Sequence, residues 1–96
     1  EGTDIENPIR SELHPLFPNP ASSELNIPFT LNADQAVQIT LLDLEGRKIR
    51  TLMEKMHFMQ GQQVFTTRLT GVQEGQYLIE LRTRDGNLLQ KLNKIK

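Results

Sequence analysis

Enzymes and metal sites need a nucleophile, a base or a ligand set, and this sequence offers few of them. The two histidines, His14 and His57, stand far apart, and neither has another His or a Cys at metal-ligand spacing. Ser22 and Ser23 lack the G-x-S-x-G setting of an activated nucleophile, so their hydroxyls are read as partners for turn backbone. The carboxylates are scattered and never form the D-x-D-x-D-G run of a calcium loop. Cysteine is absent, which removes disulfides, thiolate ligands and thiol nucleophiles together. Gly46, Gly61, Gly71, Gly75 and Gly86 each stand alone and form no phosphate-cradling loop. Four Phe and one Tyr, not interleaved with basic residues, make no stacking platform for nucleic acid. The chain therefore reads as non-catalytic, with no cofactor, no metal, no small-molecule substrate and no nucleic-acid partner.

The elements explain what the chain does instead. Ninety-six residues are enough for one domain with one modest core. The net charge of -1 gives no global field, but the charge is polarised along the chain. Glu1, Asp4, Glu6 and Glu12 make the start acidic against Arg10, and Arg82, Arg84, Lys91, Lys94 and Lys96 make the end basic against Asp85. No apolar run approaches a membrane span, and no signal peptide is visible. The chain opens Glu1-Gly2-Thr3, which reads as a piece of something longer.

The dominant hydrophobic period is two. Val37, Ile39 and Leu41 share a strand face, as do Phe65, Thr67 and Leu69, and again Tyr77, Ile79 and Leu81. Glu45-Gly46 reads as a tight hairpin before Arg47 to Leu52, with Gly46 at positive φ, and Asp85-Gly86 reads as another before a strand from Leu88 to Ile95. In Met53-Glu54-Lys55-Met56-His57-Phe58-Met59 the methionines fall three apart. A helical turn is conceivable there, but Gly61 and the short length favour a loop whose Met and Phe side chains plug one end of the core. Six or seven short strands between Gly, Pro, Asn and Asp turns point to an antiparallel two-sheet sandwich. Residues 1–12, polar and marked by Asn7-Pro8, read as a linker before a folded domain at 13–96. At the domain's start, Pro18 and Pro20 flank Asn19 in a stretch that enters extended, bends and leaves extended, with the Asn19 amide free to bond nearby backbone.

Four stretches, taken in order, carry a resemblance: Phe17-Pro18-Asn19-Pro20-Ala21-Ser22, then Ile39-Thr40-Leu41-Leu42-Asp43-Leu44-Glu45-Gly46-Arg47, then Gly75-Gln76-Tyr77-Leu78-Ile79-Glu80-Leu81, and finally Gly86 with Lys91-Leu92-Asn93-Lys94-Ile95-Lys96. From about Leu13 to Lys96 the chain resembles the type A C-terminal sorting domain of type IX secretion cargo in Bacteroidetes. The resemblance implies an Ig-like sandwich of about seven strands. It also implies a preceding cargo domain, passage through the periplasm, recognition by the outer-membrane type IX machinery, and delivery to the cell surface or beyond. There a surface sortase cuts in the linker. Lys91, Leu92, Lys94, Ile95 and Lys96 fall in the terminal motif associated with export. Pro18, Asn19, Pro20 and Ala21, with Gly46, Gly75, Tyr77 and Gly86, match structural motifs.

Gly75 is read as supplying a turn conformation, and Tyr77 as a half-buried ring with a wet hydroxyl. A final strand with alternating Lys is either a protected edge or a recognition edge. Phe17 stands where the family often has Tyr, which keeps a ring and loses a hydroxyl. The competing reading is a FlgD-like or fibronectin-like Ig module serving as a spacer or adhesive unit. A carbohydrate-binding sandwich ranks third, since so few aromatics are available. Edge strands also leave room for dimerisation or strand swapping in isolation.

Overall fold

In a computed structural model of the chain, residues 10–96 are described. Among them seven strands run in order: β1 (Glu12–Leu13), β2 (Glu24–Leu31), β3 (Gln35–Asp43), β4 (Lys48–Phe58), β5 (Gly61–Arg68), β6 (Gly75–Thr83) and β7 (Gly86–Lys94). They form two antiparallel sheets, β1-β2-β5 and β4-β3-β6-β7. The β-sandwich expected from the period of two is therefore observed. Relative to a constant-type immunoglobulin domain, the fourth strand has moved: it pairs with β3 instead of lying beside β5.

The core lies between the sheets. Leu25, Ile27, Phe29 and Leu31 alternate along β2 with Glu24, Asn26, Pro28 and Thr30, and the apolar set is fully buried. It packs against Val37, Ile39 and Leu41 of β3, Ile79 and Leu81 of β6, and Leu92 of β7. Each such side chain withdrawn from water contributes about 1.5–3 kcal/mol, so these rows hold the sheets together.

Three sequence expectations change in detail. The stretch Met53–Phe58 is strand, the second half of β4, and contains no helical turn or loop. Its periodicity is hidden because the β3–β4 ladder shifts register at three places, and each bulge resets which side chains face inward. Met53 lies buried opposite Ile39, and Phe58 meets Phe29 edge-on at 5.4 Å between ring centroids. Met56 and Met59 are exposed, so only part of the expected plug exists.

The β3–β4 turn takes in Leu44 as well as Glu45 and Gly46, with Gly46 at φ +88. Asp43 fastens it by accepting N–H bonds from Glu45 and Arg47, each at 2.9 Å, and the Arg47 side chain at 2.9 Å. The β6–β7 turn is centred on Arg84 and Asp85, one residue earlier than expected, because Thr83 pairs with Gly86. The Thr83 hydroxyl closes that turn, donating to the Gly86 carbonyl at 2.8 Å and accepting from the Asp85 N–H at 3.2 Å.

The folded region also begins earlier than residue 13. Ser11 is buried and bonds the backbone and side chain of Asn32, and Glu12 pairs with Thr30 in β1. The rest of the proposed linker, residues 1–9, lies outside the described residues.

Candidate functional site: a clasp on the last strand

The segment between β1 and β2 visits both sheets. Phe17 bridges Asn26 of the three-stranded sheet, donating its N–H to the Asn26 carbonyl and accepting in return at 2.8 Å. Four residues on, Ala21 forms a parallel bridge with Lys94 of the four-stranded sheet, and the chain then returns to begin β2 at Glu24. Both X–Pro bonds in between, Phe17–Pro18 and Asn19–Pro20, are cis.

This excursion brings Asn19 and Ala21 against the outer edge of β7. The Asn19 amide donates to the Lys91 carbonyl at 3.0 Å and accepts the Asn93 N–H at 3.0 Å. Ala21, fully buried, donates its N–H to the Asn93 carbonyl at 2.9 Å and accepts the Ile95 N–H at 2.8 Å. A primary amide carries both a donor and an acceptor, so Asn19 completes the ladder as a strand residue would. The sequence reading had this amide bonding nearby backbone. Instead it serves residues more than seventy positions away, because the segment crosses to the other sheet, where β7 has backbone to satisfy. Farther along β7, the Gln90 side chain donates to the Leu13 carbonyl at 2.9 Å and ties the same strand to β1.

The G-x-Y motif lies beside this clasp. Gly75 opens β6 directly opposite Lys94 and sits at φ +151, a conformation L side chains rarely adopt. The Tyr77 ring passes 3.7 Å from where a Gly75 Cβ would be, covering the bare glycine. Its hydroxyl donates to the Gln73 carbonyl at 2.7 Å, so it is bonded to protein. A tyrosine near the start of this strand, reaching back to upstream backbone, is the tyrosine corner of Ig sandwiches. Asp43, which anchors the β3–β4 turn, pairs with Tyr77. Three of the four motifs, and the end of the fourth, thus gather at one end of the four-stranded sheet. Gly86 alone lies at the other, at φ +136.

The terminal residues are not a uniform basic stripe. Leu92 and Lys94 face inward, 1% and 7% exposed, while Lys91, Asn93, Ile95 and Lys96 face solvent. The Lys94 stem is buried beside Leu92, and its ammonium donates to the Ile95 carbonyl at 2.7 Å. Among the described residues Lys91, Lys94 and Lys96 make no ion pair. A shallow cleft of about 170 Å³ between Asn19, Gln76, Lys91, Leu92 and Asn93 marks where clasp and strand meet. The sequence places Asn19 in a local turn, Ala21 and Asn93 only within motifs, and gives Gln90 no role. Their roles depend on backbone geometry at large sequence separation, for which a single sequence carries no signal. Among the described residues, no group of His, Asp and Glu gathers in metal-binding geometry.

A family model described as "Secretion system C-terminal sorting domain" matches residues 15–95, the span from just before the clasp to Ile95, the clasped residue just past β7. No curated protein and no solved structure matches the chain.

Proposed function

The chain belongs to the secretion system C-terminal sorting domain family of type IX secretion, and we propose that the clasped end of β7 is the element its secretion machinery reads. Membership makes it a C-terminal sorting signal behind a cargo domain, bound for the cell surface or the extracellular space; domains of this kind are generally non-catalytic. The observation that carries the proposal is the set of four bonds from Asn19 and Ala21 to residues 91–95. They hold the export-associated residues in one folded arrangement, with Lys91, Ile95 and Lys96 outward. Leu92 and Lys94 act indirectly, by packing that end of the strand.

The machinery first meets the exposed cation and apolar side chain of the clasped end. A surface sortase then cuts in the stretch before Ser11. An endopeptidase needs accessible, extended chain, and from Ser11 onward the backbone and side chains are bonded into the sandwich. Mass spectrometry of secreted cargo tests this part: its last residue should lie before Ser11, and cargo still ending in Ile95-Lys96 would contradict removal.

Deleting Leu92 to Lys96 is a poor test of recognition, because it also removes core. Lys91→Glu with Ile95→Asp, placed in a cargo fusion, changes only exposed side chains. The expected result is a folded domain whose cargo stays in the periplasm. Normal surface delivery of that variant would overturn the reading and favour a spacer module.

A further inference from the structure

A two-sheet sandwich leaves four outer strand edges, and three of these carry a visible device against pairing with another chain. β1 is two residues long; the next stretch contains Pro15, and Pro28 on β2 has no N–H to offer it. β4 is broken by three register shifts and carries Lys48, Arg50, Glu54 and Lys55. β7 is clasped by Asn19 and Ala21. β5 has none of these. It pairs with β2 without a bulge from Gly61 to Arg68, contains no proline, and has Arg68 at its end as its one charged residue.

The parity of β5 shows which backbone groups point away from β2. Leu69 donates its N–H to Ser23 on the β2 side, so odd-numbered positions face β2 and Gln62, Val64, Thr66 and Arg68 turn their N–H and C=O groups outward. No strand lies beyond them among the described residues. The flank is also incompletely closed. The inward positions of β5 (Gly61, Gln63, Phe65 and Thr67) are only half-buried, whereas those of β2 are fully buried. Met56, opposite the core residue Val37, is 52% exposed, while Val64 on the outer face of β5 is 58% exposed.

We propose that the outer edge of β5 is a pairing site for a second copy of this chain, joining the three-stranded sheets of two molecules antiparallel about a two-fold axis. The edge is self-complementary. A register centred on Phe65 sets Val64 opposite Thr66 and Gln62 opposite Arg68, so no like charges meet. The other edges offer nothing equivalent, because bulges, clasp or length interrupt the free backbone. The pairing would also bring a second copy over the half-open flank at Met56.

Sedimentation of the chain over a concentration series tests the proposal. The expected result is a monomer–dimer equilibrium that Val64→Pro abolishes. Proline there removes an N–H that serves no bond within the sandwich, so far-UV circular dichroism should remain unchanged. A second pair of variants guards against misfolding and fixes the register, since both side chains are exposed. Val64→Lys with Thr66→Lys sets lysines against each other and should lower association at least tenfold; Val64→Lys with Thr66→Glu should restore it. A chain that stays monomeric at the highest concentration, or a dimer indifferent to all three variants, would overturn the proposal.

Discussion

β7 and β5 are both edge strands of similar length, yet the chain treats them oppositely. β7 receives backbone bonds from Ala21, a side-chain substitute for backbone from Asn19, and a tie from Gln90. β5 receives nothing on its outer side among the described residues. The contrast is instructive because β7 bears the residues we propose are read in export and β5 does not. An edge left bare is available to any strand, whereas a clasped edge presents only its side chains. On the proposed reading, the end of β7 is thus displayed as a defined surface, and its backbone is withheld from promiscuous pairing.

The contrast sharpens first through the core beneath each edge. Leu92→Ala should cost about 2–5 kcal/mol through lost burial and a cavity. Val64→Ala on β5 should stay within about 0.5 kcal/mol, as for an ordinary surface change. Denaturant unfolding of both variants measures the difference, and similar losses would erase the asymmetry between the two edges.

The clasp itself comes next. Asn19→Ala leaves the Lys91 carbonyl and the Asn93 N–H without protein partners and should cost about 1 kcal/mol, since both groups lie where water can reach them. Asn19→Asp keeps an acceptor for Asn93 but loses the donor to Lys91, so it should fall between wild type and Ala. An unfolding midpoint unchanged by Asn19→Ala would break the idea that the clasp holds β7 energetically.

Much of this fold was legible in the residues themselves. Alternating sets such as Val37, Ile39 and Leu41, or Tyr77, Ile79 and Leu81, report strands wherever one face is buried and the ladder is regular. The Met53–Phe58 stretch was not legible, because bulges against β3 break the period on which the reading depends. The motif residues were legible as motifs, but their meeting was not. Nothing local in Pro18-Asn19-Pro20-Ala21 indicates that it pairs with Lys91 to Ile95, and inspection of the terminal lysines alone does not reveal that Lys94 is buried while Lys91 is exposed.

Smaller effects should surround the same end of the sheet. Tyr77→Phe removes the bond to the Gln73 carbonyl and should cost about 0.5–1.5 kcal/mol in thermal or denaturant unfolding. Loss of secretion without loss of stability in that variant would move the tyrosine from scaffold to recognition surface.

The smallest expected effect is at Asp43. The Arg47 N–H above all holds its carboxyl below the ordinary value of 3.8; desolvation opposes it, and the Arg47 side chain and the Glu45 N–H add to the lowering. A depressed folded-state value contributes stability that is fully present above 3.8 and lost as pH falls below it. The advantage of wild type over Asp43→Asn should therefore shrink on acidification below that value, and an advantage that grows instead would contradict the geometry of the turn.

Amide hydrogen exchange in dilute solution compares the two edges most directly, because it reads the same backbone group on each. The Asn93 and Ile95 amides, bonded to Asn19 and Ala21, should exchange slowly and nearly in step with core amides. The Val64 and Thr66 amides should exchange rapidly. Fast exchange at Asn93 and Ile95, at rates matching Val64 and Thr66, would show that the last strand is not clasped.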